Sequence, residues 1–177
     1  MPVFRFYIMA IQQCLIIIKP DGLVKSLTGN IITALSETKL KIVGAKIVKV
    51  NRELAEKHYA ELKKKKPHVF EGTIEYITGK YHTDRVLVLV YHGENAIEKI
   101  REIVGPTNPE EAHPTTIRGR YGRIHSKTGI FENVIHASDS LENAEKEIKL
   151  WFSPENLAEI MYPTKTENIS IQRIVWQ

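Results

Sequence analysis

Apolar and polar positions along this chain follow two periods, and the changes between them mark the elements. Leu15 to Ile18 is an unbroken apolar run, the pattern of a strand buried on both faces. Asp21-Gly22 is turn chemistry, and after a Thr28-Gly29-Asn30 entry the apolar residues Ile31, Ile32 and Leu35 take helical spacing. The stretch KIVGAKIVKV, Lys41 to Val50, is rich in β-branched residues and predicts a second strand. Asn51 is placed to cap a helix carrying Leu54, His58, Tyr59 and Leu62 on one side. That helix closes on Lys63 to Lys66, cations that suit a helix C-terminus and read as a solvated end. A short helix around Ile74 to Ile77 and the strand RVLVLVY from Arg85 come next. In NAIEKIREIVG, the residues Ile97, Ile100 and Val104 form one stripe and Gly105 ends the helix. Residues 106 to 132 read as a long connection with Pro106, Pro109 and Pro114, and such loops inside compact domains are usually functional. Val134-Ile135 is a short strand, and Leu141, Ala144, Ile148 and Trp151 mark the helix after His136. The tail after Pro163 has little pattern until a candidate strand from Ile169 to Val175.

Strands alternating with helices predict an α/β sandwich. The 177 residues fit one domain with a single sizeable core, residues 1–13 being an N-terminal extension and residues 163–177 a tail. The apolar N-terminal run is interrupted by Arg5, Gln12 and Gln13 and ends at Lys19-Pro20 with no small-residue cleavage site, so a buried first strand is expected rather than a signal peptide. No run approaches a membrane span. Cys14 is the single cysteine, which excludes an intrachain disulfide and fits a reducing cytoplasm. The 25 basic and 21 acidic residues leave a net charge of +4, mild enough for small polyanionic ligands and insufficient to establish nucleic-acid binding.

Familiar nucleotide signatures are missing: there is no G-x-G-x-x-G, and Gly72 and Gly79-Lys80 do not space as a P-loop. The seven histidines offer no H-x-x-x-H pair and no partner cysteines, so a dedicated zinc site is not expected. His136 is set apart by its position at a strand end just before a helix, facing the cleft where α/β folds place ligands. Asp139 or Ser140 can cap that helix, with Glu142 as a returning partner for Asp139. Glu147, two turns along, can reach back to an imidazole nitrogen and make the other nitrogen a better nucleophile. On local sequence alone, a histidine merely satisfied by hydrogen bonds is the better account. The long loop tips the balance. GPTNPEEAHPTTIRGRYG supplies Thr107 and Arg118, Arg101 precedes it, and Lys19 emerges from the first buried strand. Guanidiniums, a hydroxyl and an ammonium near a strand-end histidine suit a triphosphate and its transferring phosphoryl group.

Four ordered motifs, IIIKPDGL, EKHYAELK, GPTNPEEAHPTTIRG and NVIHASDSLENAEKEIKLWF, together resemble nucleoside diphosphate kinase from about Leu15 to Phe152. The resemblance implies a ferredoxin-like βαββαβ sandwich, an antiparallel sheet covered by helices. It also implies transfer of a γ-phosphoryl from a nucleoside triphosphate to a nucleoside diphosphate through a phosphohistidine, with magnesium (Mg2+) on the phosphates, and a homo-oligomer, hexamer or tetramer. By motif match His136 takes the place of the phosphorylated histidine, Glu147 of the glutamate that orients it, and Ser138 of a hydroxyl beside it. Lys19, Tyr59, Arg101, Thr107, Arg118 and Asn133 take the places of residues that hold phosphates and sugar.

Three departures stand out. KKKKPHVFEG has an apparent insertion where the family carries a base-stacking aromatic: aligning backward from Gly72 gives Val69 with Phe70 beside it, and aligning forward from Pro67 gives His68. The expectation is that Phe70 or Val69 faces the nucleobase and that a flexible KKKKPH segment absorbs the extra residues. Arg120 stands where an aspartate is usual, reversing a charge near the phosphates. YGRIHSKTGIFEN is longer than usual, in a loop that commonly makes subunit contacts. The competing reading is a nucleic-acid-binding or regulatory module that kept the fold; the lysine run, Arg120 and a pI near 9.1 favour it, and the complete set of catalytic residue types opposes it.

Overall fold

Strand β1 (Ile11–Ile18) lies inside the sheet, and its alternating side chains feed two different cores. Cys14, Ile16 and Ile18 join one cluster, whereas Leu15 and Ile17 join another on the opposite face. This is the physical content of the unbroken apolar run. The computed structural model describes residues 10–170, together with 172 and 176. After β1 come helices α1 (Pro20–Val24) and α2 (Thr28–Ser36), strand β2 (Lys41–Lys49), helices α3 (Arg52–His58), α4 (Ala60–Lys65) and α5 (Pro67–Ile77), and strand β3 (Arg85–Glu94). Helices α6 (Ala96–Val104) and α7 (Ile117–Tyr121) follow, then the hairpin strands β4 (Arg123–Ile124) and β5 (Phe131–Glu132), strand β6 (Ile135–Ala137) and helix α8 (Leu141–Trp151).

The four long-range strands form one antiparallel sheet in the order β2-β3-β1-β6, the arrangement expected of a ferredoxin-like βαββαβ core. Helices α2, α6 and α7 cover one face through Ile31, Leu35, Ile97, Ile100, Val104 and Ile117. Helices α3, α5 and α8 cover the other through Ala55, Ile74, Ile77, Ile148 and Trp151. Each fully buried Leu or Ile contributes about 1.5–3 kcal/mol, enough to offset the ordering of its own backbone at about 1–2 kcal/mol.

Several expectations are corrected. The strand predicted from Leu15 begins at Ile11, so residues 11–13 belong to the sheet rather than to an extension. The helix predicted after Asn51 is capped as expected, the Leu54 N–H donating to Asn51 Oδ1 at 2.8 Å, but it divides at Tyr59 into α3 and α4. The KKKKPH segment is helical on both sides of Lys66, not a flexible loop: Pro67, with its fixed φ and missing N–H, starts α5, which is three turns long rather than one. The long connection contains α7 and the β4–β5 hairpin. Of the predicted tail strand, Ile169, Ser170 and Gln172 are not in a strand, and the remaining positions lie outside the described residues. The segment after α8 instead returns to the sheet edge, where the Ala158 N–H donates to the Val43 carbonyl and Gln13 Nε2 to the Glu159 carbonyl. Among the described residues no helix is long and apolar enough to cross a membrane.

Candidate active site

The pairing of β1 with β6 sets Ile17 opposite His136 and Ile16 opposite Ala137, which fixes the imidazole at the sheet's edge. Just before β6, Val134 adopts a left-handed backbone with φ of 56°, a conformation a β-branched residue rarely accepts. Three groups hold it there. Asp21, fully buried, accepts the Val134 N–H and the Tyr76 hydroxyl, while the Val134 carbonyl accepts the Lys19 N–H at 2.8 Å. The bend turns the chain between Asn133 and Ile135, so that Asn133 and His136 both border the same space as Lys19.

After β6, Ser140 caps α8 by accepting the Asn143 N–H at 3.2 Å. Glu142 pairs with Lys146 and does not return to Asp139, whose carboxylate accepts from Asn143 Nδ2 instead. The cap sets the helix rotation that brings Glu147 back over the strand. Glu147 Oε1 lies 3.0 Å from His136 Nε2, and Oε2 accepts the Ser138 hydroxyl at 2.5 Å. Burial works to raise the Glu147 pKa, but the charge and hydrogen bond of His136, with Ser138, outweigh it and hold the group below the usual range. An ionised Glu147 can only accept, so Nε2 carries the ring proton and Nδ1 keeps the free lone pair.

Lys19 and Asn133 are both buried, and Lys19 Nζ donates to Asn133 Oδ1 at 2.7 Å while Asn133 Nδ2 donates to the Thr107 carbonyl at 2.8 Å. Burial, then the neighbouring Arg118, push the Lys19 pKa down to about 8, so an incoming anion would be needed to restore its full charge preference. Arg118 is buried and donates to the carbonyls of Ile135 and Gly105. Gly105 has φ of +84°, and a Cβ there would sit 2.6 Å from Thr116 Oγ1, so only glycine allows α6 to end against the helix that carries Arg118. Burial, then Arg101, bring the Arg118 pKa down to about 10. Arg101 and Thr107 are exposed at the rim. Among the described residues, none of Lys19, Arg101 and Arg118 forms an ion pair. Among the described residues, Tyr59 presents a buried hydroxyl with no hydrogen-bond partner, and burial pushes its pKa up. Cations outside any ion pair among the described residues, beside an oriented imidazole, have the chemistry to receive a polyanion that reacts at nitrogen.

The predicted base-stacking pair is separated. Of the two candidates for the nucleobase contact, Phe70 is 6 % exposed and belongs to the core with Ile74 and Ile77, while Val69 is 40 % exposed beside it. The helix α5 decides this, because Phe70, Ile74 and Ile77 fall on one stripe. Sequence reasoning gave no site role to His58, Trp151 or Asp21. The His58 ring meets His136 edge-to-face with centroids 4.6 Å apart, and Trp151 Nε1 donates to His58 Nδ1 at 3.2 Å. In the sequence His58 shows only as part of the EKHYAELK motif and of the helix side that carries Leu54, Tyr59 and Leu62.

Comparison with known proteins agrees with this geometry. The family model for nucleoside diphosphate kinase matches residues 12–157. A nucleoside diphosphate kinase from Pyrococcus furiosus is 48 % identical over 149 residues, covering 84 % of this chain and 88 % of the relative. Among solved structures, a transition-state mimic of nucleoside-diphosphate kinase from Borrelia burgdorferi with bound vanadate and ADP superposes with a TM-score of 0.75 at 32 % identity, covering 88 % of this chain and 94 % of the other. A nucleoside diphosphate kinase from Halobacterium salinarum in complex with CDP gives a TM-score of 0.74 at 33 % identity, covering 86 % and 95 %.

Proposed function

Since the chain belongs to the nucleoside diphosphate kinase family and moves a phosphoryl group between nucleotides, we propose that His136 is the residue that carries it, through Nδ1. The observation that supports this most directly is the His136–Glu147–Ser138 relay, which leaves one ring nitrogen unprotonated next to cations that have no carboxylate partner. In the first half-reaction the Nδ1 lone pair attacks the γ-phosphorus of a nucleoside triphosphate. The bond from phosphorus to the bridging oxygen breaks, a nucleoside diphosphate leaves, and the ring holds the phosphoryl with its proton still on Nε2. The imidazole then bears positive charge beside the Glu147 carboxylate. A second nucleoside diphosphate reverses the steps. Positioning and electrostatics supply most of the acceleration, with Lys19, Arg101 and Arg118 answering charge on the phosphate oxygens and Asn133, Thr107 and Tyr59 completing the wall.

The divalent cation is Mg2+ in this reading, held through the phosphates. The chain's own donors fit that arrangement: Asp21 is committed to Tyr76 and the Val134 amide, and Glu147 to His136 and Ser138, so neither of these two carboxylates is free to hold a hard cation. When bound, the ion neutralises phosphate charge.

We read residues 1–177 as one catalytic domain, cytoplasmic by its single buried thiol, and assembled as a homo-oligomer. The edge strand β2 supports assembly, because Ile42 and Ile47 on it are 46 % and 59 % exposed. Sedimentation velocity checks this. The experiment for the nucleophile is incubation with γ-labelled ATP: wild type should take acid-labile label, and His136→Asn should lose it with turnover down roughly 10⁴-fold or more while still binding ADP. Near-normal turnover in that variant would overturn the reading.

A further inference from the structure

His58 ends α3 and faces the site from the helical side, yet no step above uses it. A histidine at a helix C-terminus is ordinarily a place where positive charge is favoured. Here burial dominates, reinforced by His136 and Lys19 and only partly opposed by Glu147, and brings the His58 pKa down to about 3. The indole N–H of Trp151 can only donate, so His58 Nδ1 must accept it and Nε2 must carry the ring proton. That Nε2–H is buried and has no acceptor among the described residues. Glu147 and Trp151 stand four residues apart on one face of α8, so a single helix orients both imidazoles: Glu147 holds His136, and Trp151 holds His58.

One nitrogen each from His58 and His136 and a carboxylate oxygen of Glu147 lie within 4.8 Å of one another, a grouping with the composition of a zinc site. Ligation needs a lone pair on each imidazole. At His58 one nitrogen is filled by the Trp151 N–H and the other is protonated, so the third ligand is withheld. The same tautomer has a second consequence. Phosphorylation makes the His136 ring cationic, and a charged neighbour with its centroid 4.6 Å away would oppose that.

We infer that His58 is a positioning residue for phosphoryl transfer: its ring, locked in one tautomer by Trp151, braces the face-to-edge contact with His136 and sets a neutral N–H beside the nucleophile in place of a metal ligand. The glutamate hydrogen bond fixes His136 at Nε2 but leaves the ring free to swing about that point. The perpendicular His58 ring, 80° away in plane, blocks the swing and keeps Nδ1 directed at the bound phosphate. The groups that face His58 are His136 from β6, Glu147 and Trp151 from α8, Lys19 at the end of β1, and the adjacent Tyr59.

The inference rests on His136 as nucleophile, and the experiment separates the two. Single-turnover labelling from γ-labelled ATP, ADP affinity, and thermal unfolding are measured for wild type, His58→Phe and Trp151→Phe from about pH 5 to 9, with and without micromolar zinc chloride. His58→Phe should slow labelling roughly 10- to 100-fold with ADP affinity within about twofold, the pattern of a lost transition-state alignment. Trp151→Phe keeps an aromatic in place but frees the tautomer. It should become sensitive to zinc where wild type is not. Wild-type labelling rates and pH profile in His58→Phe would reduce His58 to a space filler and overturn the inference, as would equal zinc sensitivity of wild type and Trp151→Phe. Absence of acid-labile label on the wild type would instead remove His136 from its role.

Discussion

Two glutamates flank strand β6 and are spent in opposite ways. Glu132, only 2 % exposed at the end of β5, is surrounded by Arg123 Nε at 2.6 Å, His82 Nε2 at 2.9 Å and Lys25 Nζ at 3.3 Å. Burial works to raise its pKa, but those three hydrogen bonds outweigh it and bring the group down to about 2. Its charge is saturated, and what it does is tie α1, the segment before β3 and the β4–β5 hairpin to one point. Glu147 has a single imidazole and a hydroxyl. Its pairing with His136 strengthens further if the ring becomes cationic, as the proposed phosphoryl transfer requires. A carboxylate closed off by permanent cations stabilises a fold, whereas one beside a neutral base stabilises a charge that comes and goes.

The sharpest test removes the charge at Glu147. Glu147→Gln can still accept from His136 and donate to the Ser138 hydroxyl, but it loses the charge that answers a cationic ring; turnover should fall roughly 100-fold with little change in melting temperature. Steady-state kinetics with a parallel melt checks it, and a loss of stability without loss of rate would erase the contrast. Glu132→Gln should do the reverse, lowering stability by roughly 1.5–3 kcal/mol in urea titrations while the phosphorylation rate per folded molecule stays near wild type. The same pair predicts an acid limb. Because the folded Glu132 pKa is depressed, its contribution is complete above the ordinary carboxylate range, near pH 4.5, and is lost as pH falls toward about 2. Urea midpoints across that window should drop less steeply in Glu132→Gln than in wild type. The smallest effect belongs to Val69→Ala. If this exposed residue is the apolar contact for a nucleobase, KM for ADP should rise about two- to fivefold with kcat unchanged, and a KM identical to wild type would place the base elsewhere.

Much of the catalytic side was legible in the chain because its causes are local or carried by motif. His136 ends a short strand, Ser140 caps the next helix, and the helical repeat from Ser140 decides that Glu147 points back. The side near α4 and α5 was less so. The lysine run suggested slack, yet Pro67 at the first helical position and the Phe70–Ile74–Ile77 stripe were signals that α5 starts early and turns Phe70 inward. Without them, Phe70 stands beside Val69 as a candidate for the nucleobase contact although it packs in the core.

By itself, the sequence determined most of strands β1, β2 and β3, the helices α2, α6 and α8 with their apolar faces, and the residue types of the candidate site, since periodicity, capping and motif spacing act over a few residues. Only the tertiary structure decided the strained turn at Val134, the saturation of Glu132 and the tautomer of His58. Each depends on partners brought from far along the chain: Asp21 to Val134 across 113 positions, Lys25 to Glu132 across 107, and His58 to Trp151 across 93. Protonation and backbone strain are set by burial and by the groups on the far side of the contact, and neither exists until the sheet has folded.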